Sequence, residues 1–245
     1  MDSQPGCAIR STTGVSALSS AIRSSRQSRF RCEWSQPTFL SFDGYAPHVV
    51  TSIGLHRPRT VSRLALATAL VTLLSVLSLI TFFIAGAPFG LINDVANGLI
   101  GLLSLALAWV WVRNRRSGWS TVALAAAALG AIVMVMGSLL IIFDITGWYL
   151  AGLVSSVGNA LIGIWLLIEN RLQRRAPELP RGLILLGVTA AIFMIIGWLA
   201  IAGVIARIDD PQLAPWYVNA GLINWTGTYL LYPAWCLWLS RKYGG

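Results

Sequence analysis

Six long apolar runs constrain this chain more than any other feature. They fall at about 64–86, 90–112, 119–143, 147–168, 182–206 and 217–240. Each has roughly the 20 residues that a helix needs to cross about 30 Å of hydrocarbon. Strands of a membrane barrel alternate and stop near ~10 residues, so continuous runs of this length are not barrel strands. A helix satisfies its own backbone groups, and lipid demands that. The expected fold class is therefore an all-α integral membrane protein with six transmembrane helices.

Composition supports this and narrows the function. Hydrophobic residues make up 56% of the chain and charged residues only 11%, against roughly 25% charged in soluble domains. The net charge of +9 is carried between the apolar runs rather than along one face, which does not describe a nucleic-acid surface. Cys7, Cys32 and Cys236 form no CxxC pair, and His48 and His56 lie outside the runs. No metal site, disulfide framework or membrane haem is expected from them. The run sequences contain no Lys, which removes a retinal Schiff base. HExxH, GxSxG, P-loop and GxGxxG motifs are absent. The expectation is a non-enzymatic protein with no cofactor.

Residues 1–62 differ in kind. They hold twelve Ser, seven Arg and three acidic residues, Asp2, Glu33 and Asp43. The expectation is a disordered tail, with a transit segment or an over-called start as alternatives. The transmembrane domain then covers 63–245.

Basic residues give an orientation. Arg57, Arg59 and Arg63 precede the first run, and Arg113, Arg115 and Arg116 lie between the second and third. Arg171, Arg174, Arg175 and Arg181 lie between the fourth and fifth, and Arg241 and Lys242 follow the sixth. The opposite loops carry only Arg207, beside Asp209 and Asp210. By the positive-inside rule both termini face the cytoplasm of a bacterial plasma membrane, or the equivalent side of an organelle inner membrane. Trp148, Tyr149, Trp216 and Tyr217 are then expected at the outer interface, and Trp119, Trp238 and Tyr243 at the inner one. The partners expected are the bilayer itself and anionic lipid at the basic loops.

A motif divides the runs. Gly90-Leu91-Ile92-Asn93-Asp94-Val95-Ala96-Asn97 returns as Gly152-Leu153-Val154-Ser155-Ser156-Val157-Gly158-Asn159 and as Gly221-Leu222-Ile223-Asn224-Trp225-Thr226-Gly227-Thr228. The spacings are 62 and 69 residues, and each copy opens an even-numbered run. On the odd runs, Ala131 to Leu139 parallels Ala191 to Leu199, sixty residues on. The expected plan is three parallel-repeat helical hairpins, about 63–116, 117–175 and 180–242, around a pseudo-threefold axis.

Within each copy two polar positions stand one turn apart: Asn93 and Asn97, Ser155 and Asn159, Asn224 and Thr228. These faces are expected to turn inward and form one polar cluster in the outer half of the bilayer. The leading reading is packing, since glycines admit close approach and Asn, Ser and Thr bond across helices. The alternative is a solute, ion or proton site of a small transporter or channel centred on Asp94, a carboxylate inside an apolar run. Pro233 is expected to kink the sixth helix. The orientation is checked with a reporter active only outside the cell. It is expected to work in loops 1–2, 3–4 and 5–6, and to fail in loops 2–3, 4–5 and at the C-terminus.

Overall fold

The computed structural model describes residues 58–113, 118–175 and 178–244. The expected tail lies outside them, except that residues 58–62 already belong to the first helix. Four long helices come first: α1 (Pro58–Ala85), α2 (Phe89–Val112), α3 (Gly118–Ile142) and α4 (Trp148–Arg175). Then α5 (Arg181–Ile196) continues through a 3-10 turn (Gly197–Ala200) into α6 (Ile201–Ile205). The sixth segment is α7 (Trp216–Gly221), α8 (Asn224–Thr226), a π-helical turn (Gly227–Leu231) and α9 (Tyr232–Gly244). Five of the six segments are continuous and apolar enough to cross a membrane. The described residues contain no strand.

The sixth segment is irregular for a local reason. Pro233 has no N–H to give the carbonyl of residue 229, so a regular turn cannot close there. The wider π turn ends two residues before it. Such bulges interrupt the ladder without breaking the helix. Helix α4 runs further than its apolar run, to Arg175, so that Arg171 and Arg174 sit near its negative end.

Each helix packs on its neighbours in sequence, and α9 closes the series against α1. There the Ser62 hydroxyl donates to the Ser240 carbonyl at 2.9 Å. The even helices are the more enclosed. About half of the apolar windows of α2 and α4 is buried (50% and 56%), against 28%, 33% and 39% for α1, α3 and α5–α6. Outward positions such as Leu70, Leu77, Leu102, Leu129 and Ile192 are exposed leucine and isoleucine, which suits lipid better than water.

The contacts that set helix spacing recur. A Cβ on Gly158 would lie 2.6 Å from Met134 Cγ and 2.8 Å from Gly130 O. One on Gly227 would lie 2.9 Å from both Met194 Cγ and Ala190 O. Gly130 and Met134 stand sixty residues before Ala190 and Met194, so the α3–α4 contact and the contact of α5 with the π turn are equivalent. The same methionines serve the next interface. A Cβ on Gly101 would meet Met134 Cβ at 3.1 Å, and one on Gly163 would meet Met194 Cβ at 2.8 Å. Met134 and Met194 are fully buried.

The ends of the odd segments also recur. Gly86, Asp144 and Arg207 have φ of 73°, 53° and 53°, left-handed values that terminate a helix. Behind Asp144, the Ile145 N–H reaches Leu140 O at 2.8 Å. Behind Arg207, the Ile208 N–H reaches Gly203 O at 3.0 Å. Asp144 thus terminates α3 in the left-handed conformation.

Two glycine substitutions have opposite expected signs. Gly163→Ala inserts a methyl against Met194 and the Ala191 carbonyl, and is expected to lower stability in detergent by about 1–3 kcal/mol. Gly152→Ala meets nothing within 4 Å, and is expected to raise it by up to about 1 kcal/mol through helix propensity. Thermal unfolding of both variants checks this.

Candidate functional site

The fourth motif position packs each even segment on the odd helix of its own hairpin. Asn93 is buried, and its Oδ1 accepts from the Ser75 hydroxyl of α1 at 2.8 Å. Ser155 abuts Gly137 of α3. Asn224 abuts Gly197, and its Nδ2 donates to the Ser156 carbonyl of α4 at 3.3 Å. Gly137 and Gly197 are again sixty residues apart. These three residues hold helices together.

The eighth position behaves differently. Asn97 is half-buried, and its Oδ1 accepts from Tyr229 Oη at 2.8 Å and lies 3.2 Å from Ser75 Oγ. That joins α1, α2 and the sixth segment. Asn159 is 3% exposed, and its Oδ1 has no hydrogen-bond partner among the described residues. Thr228 is fully buried, with Oγ1 likewise unpartnered.

A cavity of about 330 Å³ gathers part of this set. Asn93, Asp94, Asn97, Ser155 and Asn159 line it. Asn224 and Thr228 do not, and the sixth segment contributes Trp225 and Tyr229 instead. The cavity therefore lies between the α1–α2 and α3–α4 pairs, with the third pair closing one wall. It sits at the end of the bundle where α1 and α3 finish and α2 and α4 begin, with Phe82, Phe83, Ile141, Ile142 and Trp148 around it. Asp94 is half-buried and is the one charged residue of the lining among the described residues; Asn93 Nδ2 lies 3.4 Å from its Oδ1. Ser138 also lines the cavity, 5% exposed and with Oγ unpartnered. A cavity with a carboxylate, unpartnered acceptors and apolar walls can hold a small ligand.

The opposite half is closed by aromatic side chains that the sequence did not single out as a group. Trp111 of α2, Trp165 of α4 and Trp235 of α9 meet there. The ring centroids of Trp111 and Trp165 each lie 6.4 Å from that of Trp235. Tyr232 stacks on Trp235 at 6.1 Å, and its hydroxyl lies 2.9 Å from Ser104 Oγ. Glu169 follows the fourth apolar run directly. It is 3% exposed, since α4 continues past it.

Among the expected interface aromatics, Trp148, Trp216 and Tyr217 are exposed, whereas Tyr149 is buried and donates to Asn219 Oδ1 at 2.7 Å. Nearby, Asp209 accepts from the N–H groups of Gly147 (2.6 Å) and Leu150 (3.1 Å). It caps the positive end of α4 from the distant loop 5–6. Among the described residues no three His, Cys, Asp or Glu gather as metal ligands. The chain matches no protein-family model, no curated protein and no solved structure. Asp209→Ala is expected to cost about 1 kcal/mol, the usual loss for an N-cap. Asp210→Ala, on a side chain that bonds only the N–H of Gln212 in its own turn among the bonds described, is expected to cost less. Paired unfolding curves compare them.

Proposed function

We propose that the chain is a multi-pass membrane protein of three parallel hairpins, in which the repeated polar residues divide their work. Asn93, Ser155 and Asn224 pack the hairpins. Asp94, Asn97 and Asn159 form a binding site for a small solute or ion, as in a transporter or channel without enzymatic activity. The observation that carries this is the cavity around Asp94. A bundle that used its polar residues for packing alone would leave the carboxylate no cavity. A buried carboxylate in an apolar segment costs about 2.5–3.5 kcal/mol at helix centre on insertion scales, less near an interface, so a role offsets a real penalty.

The aromatic closure of the other half supports a site that opens toward one side only. The positive-inside bias puts that opening on the outer face, with both termini in the cytoplasm. Repeats of two helices each keep one orientation, which fits related hairpins about an axis along the membrane normal.

Gly152→Cys tests the reading, because residue 152 lines the cavity and has room for a side chain. In a chain with Cys7, Cys32 and Cys236 replaced, a charged, membrane-impermeant maleimide is expected to label this position in intact proteoliposomes from the side of loops 1–2 and 3–4. Labelling only after denaturation would remove the site and leave packing as the role of all these residues.

A further inference from the structure

We propose that the cavity takes an organic ammonium ion, a compact cationic nitrogen head carrying apolar substituents. The inference rests on the solute-site reading above and adds the chemistry of the occupant.

Charge narrows the class first. Among the described residues Asp94 is the sole charged residue of the lining, and no Arg, Lys or His faces it there. An anion would meet a carboxylate with no compensating cation, so the ligand is cationic or neutral. The walls narrow it further. Phe82 and Phe83 come from α1, Trp148 from α4, and Trp225 and Tyr229 from the sixth segment. Ring faces carry negative quadrupole potential and attract a desolvated cation, above all an alkylammonium that spreads its charge over methyl or methylene groups.

The Trp225–Tyr229 pair is held in place, whereas Phe83 and Trp148 are largely exposed. Phe82 and Phe83 lie 5.7 Å apart, and Trp225 and Tyr229 pack edge to face at 6.3 Å. The Tyr229 hydroxyl is anchored on Asn97, which fixes the pair against α2. A ring set fixed before binding loses little entropy when the ligand arrives.

The oxygen inventory argues against a bare metal cation. Hard cations want about six or more oxygen ligands. Asn93 Oδ1 is engaged by Ser75, and Asn97 Oδ1 by Tyr229. Asp94 Oδ1 is approached by Asn93 Nδ2. Ser155 Oγ makes no hydrogen bond among the described residues, and Asn159 Oδ1 and Ser138 Oγ are unpartnered but enclosed among side chains. Three neutral oxygens, two of them enclosed, and one carboxylate fall short of a metal shell, but they match a cationic head with one hydroxyl or N–H to place. The volume of about 330 Å³ suits a ligand of that size.

The test is calorimetric titration of the intact chain in a maltoside detergent, which contains no ammonium group. The probes are choline, benzyltrimethylammonium and 3,3-dimethyl-1-butanol, the uncharged carbon isostere of choline. Both ammonium ions are expected to bind, with the isostere at least about tenfold weaker, and 100-fold excess sodium is expected not to compete. Asp94→Asn and Trp225→Leu are each expected to weaken binding about tenfold. Trp225→Phe keeps a ring face and is expected to retain most of the affinity, which separates recognition from misfolding. Equal binding of the isostere, competition by sodium, or no binding of either ammonium by a monodisperse protein overturns the proposal. If Gly152→Cys is still labelled in that last case, a site exists but takes another ligand; without labelling, the site reading fails as well. A lipid headgroup as source of the same ammonium is distinguished by repeating the titration in phosphocholine nanodiscs. Apparent affinity lowered about tenfold or more there identifies the headgroup as the occupant.

Discussion

Close approach of helix backbones at glycine is the contact on which the rest depends. Between helices in lipid there is little hydrophobic driving force, because a hydrocarbon tail is as apolar as a leucine. What remains is packing and hydrogen bonding at short range, and both need small residues where helices meet. Here Met134 and Met194 each lie against two glycines, one on the even segment of its own hairpin and one on the even helix before it. An unbranched thioether adapts to both sides at once. Once these spacings are set, Asn93, Ser155 and Asn224 come within reach of Ser75, Gly137 and Gly197, and the polar contacts follow from the steric ones.

The resulting bundle is unlike at its two ends. One end gathers Trp111, Trp165, Trp235 and Tyr232 into contact, with little space between them. The other leaves room around Asp94. The same three even segments supply both ends, so one set of rigid elements carries the closure and the cavity. The half-buried Asp94 carboxylate keeps some access to solvent at the open end, whereas Glu169 in the aromatic half is almost fully enclosed.

Much of the scaffold was legible because its signals are local and periodic. Run length fixed the number of segments to within the irregular sixth, and the aligned glycines and methionines marked the interfaces. The candidate site was only half legible. Asn93, Asp94, Asn97, Ser155 and Asn159 line one cavity, but Asn224 and Thr228 point elsewhere although they occupy the same motif positions. The segment that carries them breaks at Leu222 and Ile223 and then widens into a π turn, so counting in steps of 3.6 residues loses the face. Pro233 announced an irregularity without saying how the register would change. The Tyr149 hydroxyl finds Asn219, seventy residues away in sequence. Contacts of that separation leave no periodic trace.

The Asp209 cap has a mechanical consequence. Its carboxylate accepts from two amides at the start of α4, and Tyr149 on the same turn donates to Asn219 of α7, so three hydrogen bonds tie the start of α4 to the loop after α6 and to the sixth segment. Pulling the second and third hairpins apart at this end would strip a helix terminus of its counter-charge. No comparable set of bonds ties loop 1–2 to the other hairpins among the described residues. The first hairpin is held to the third further along the bundle instead, through Ser62 to Ser240, Ser104 to Tyr232 and Asn97 to Tyr229, so the wall that carries Asp94 is anchored away from the cavity mouth.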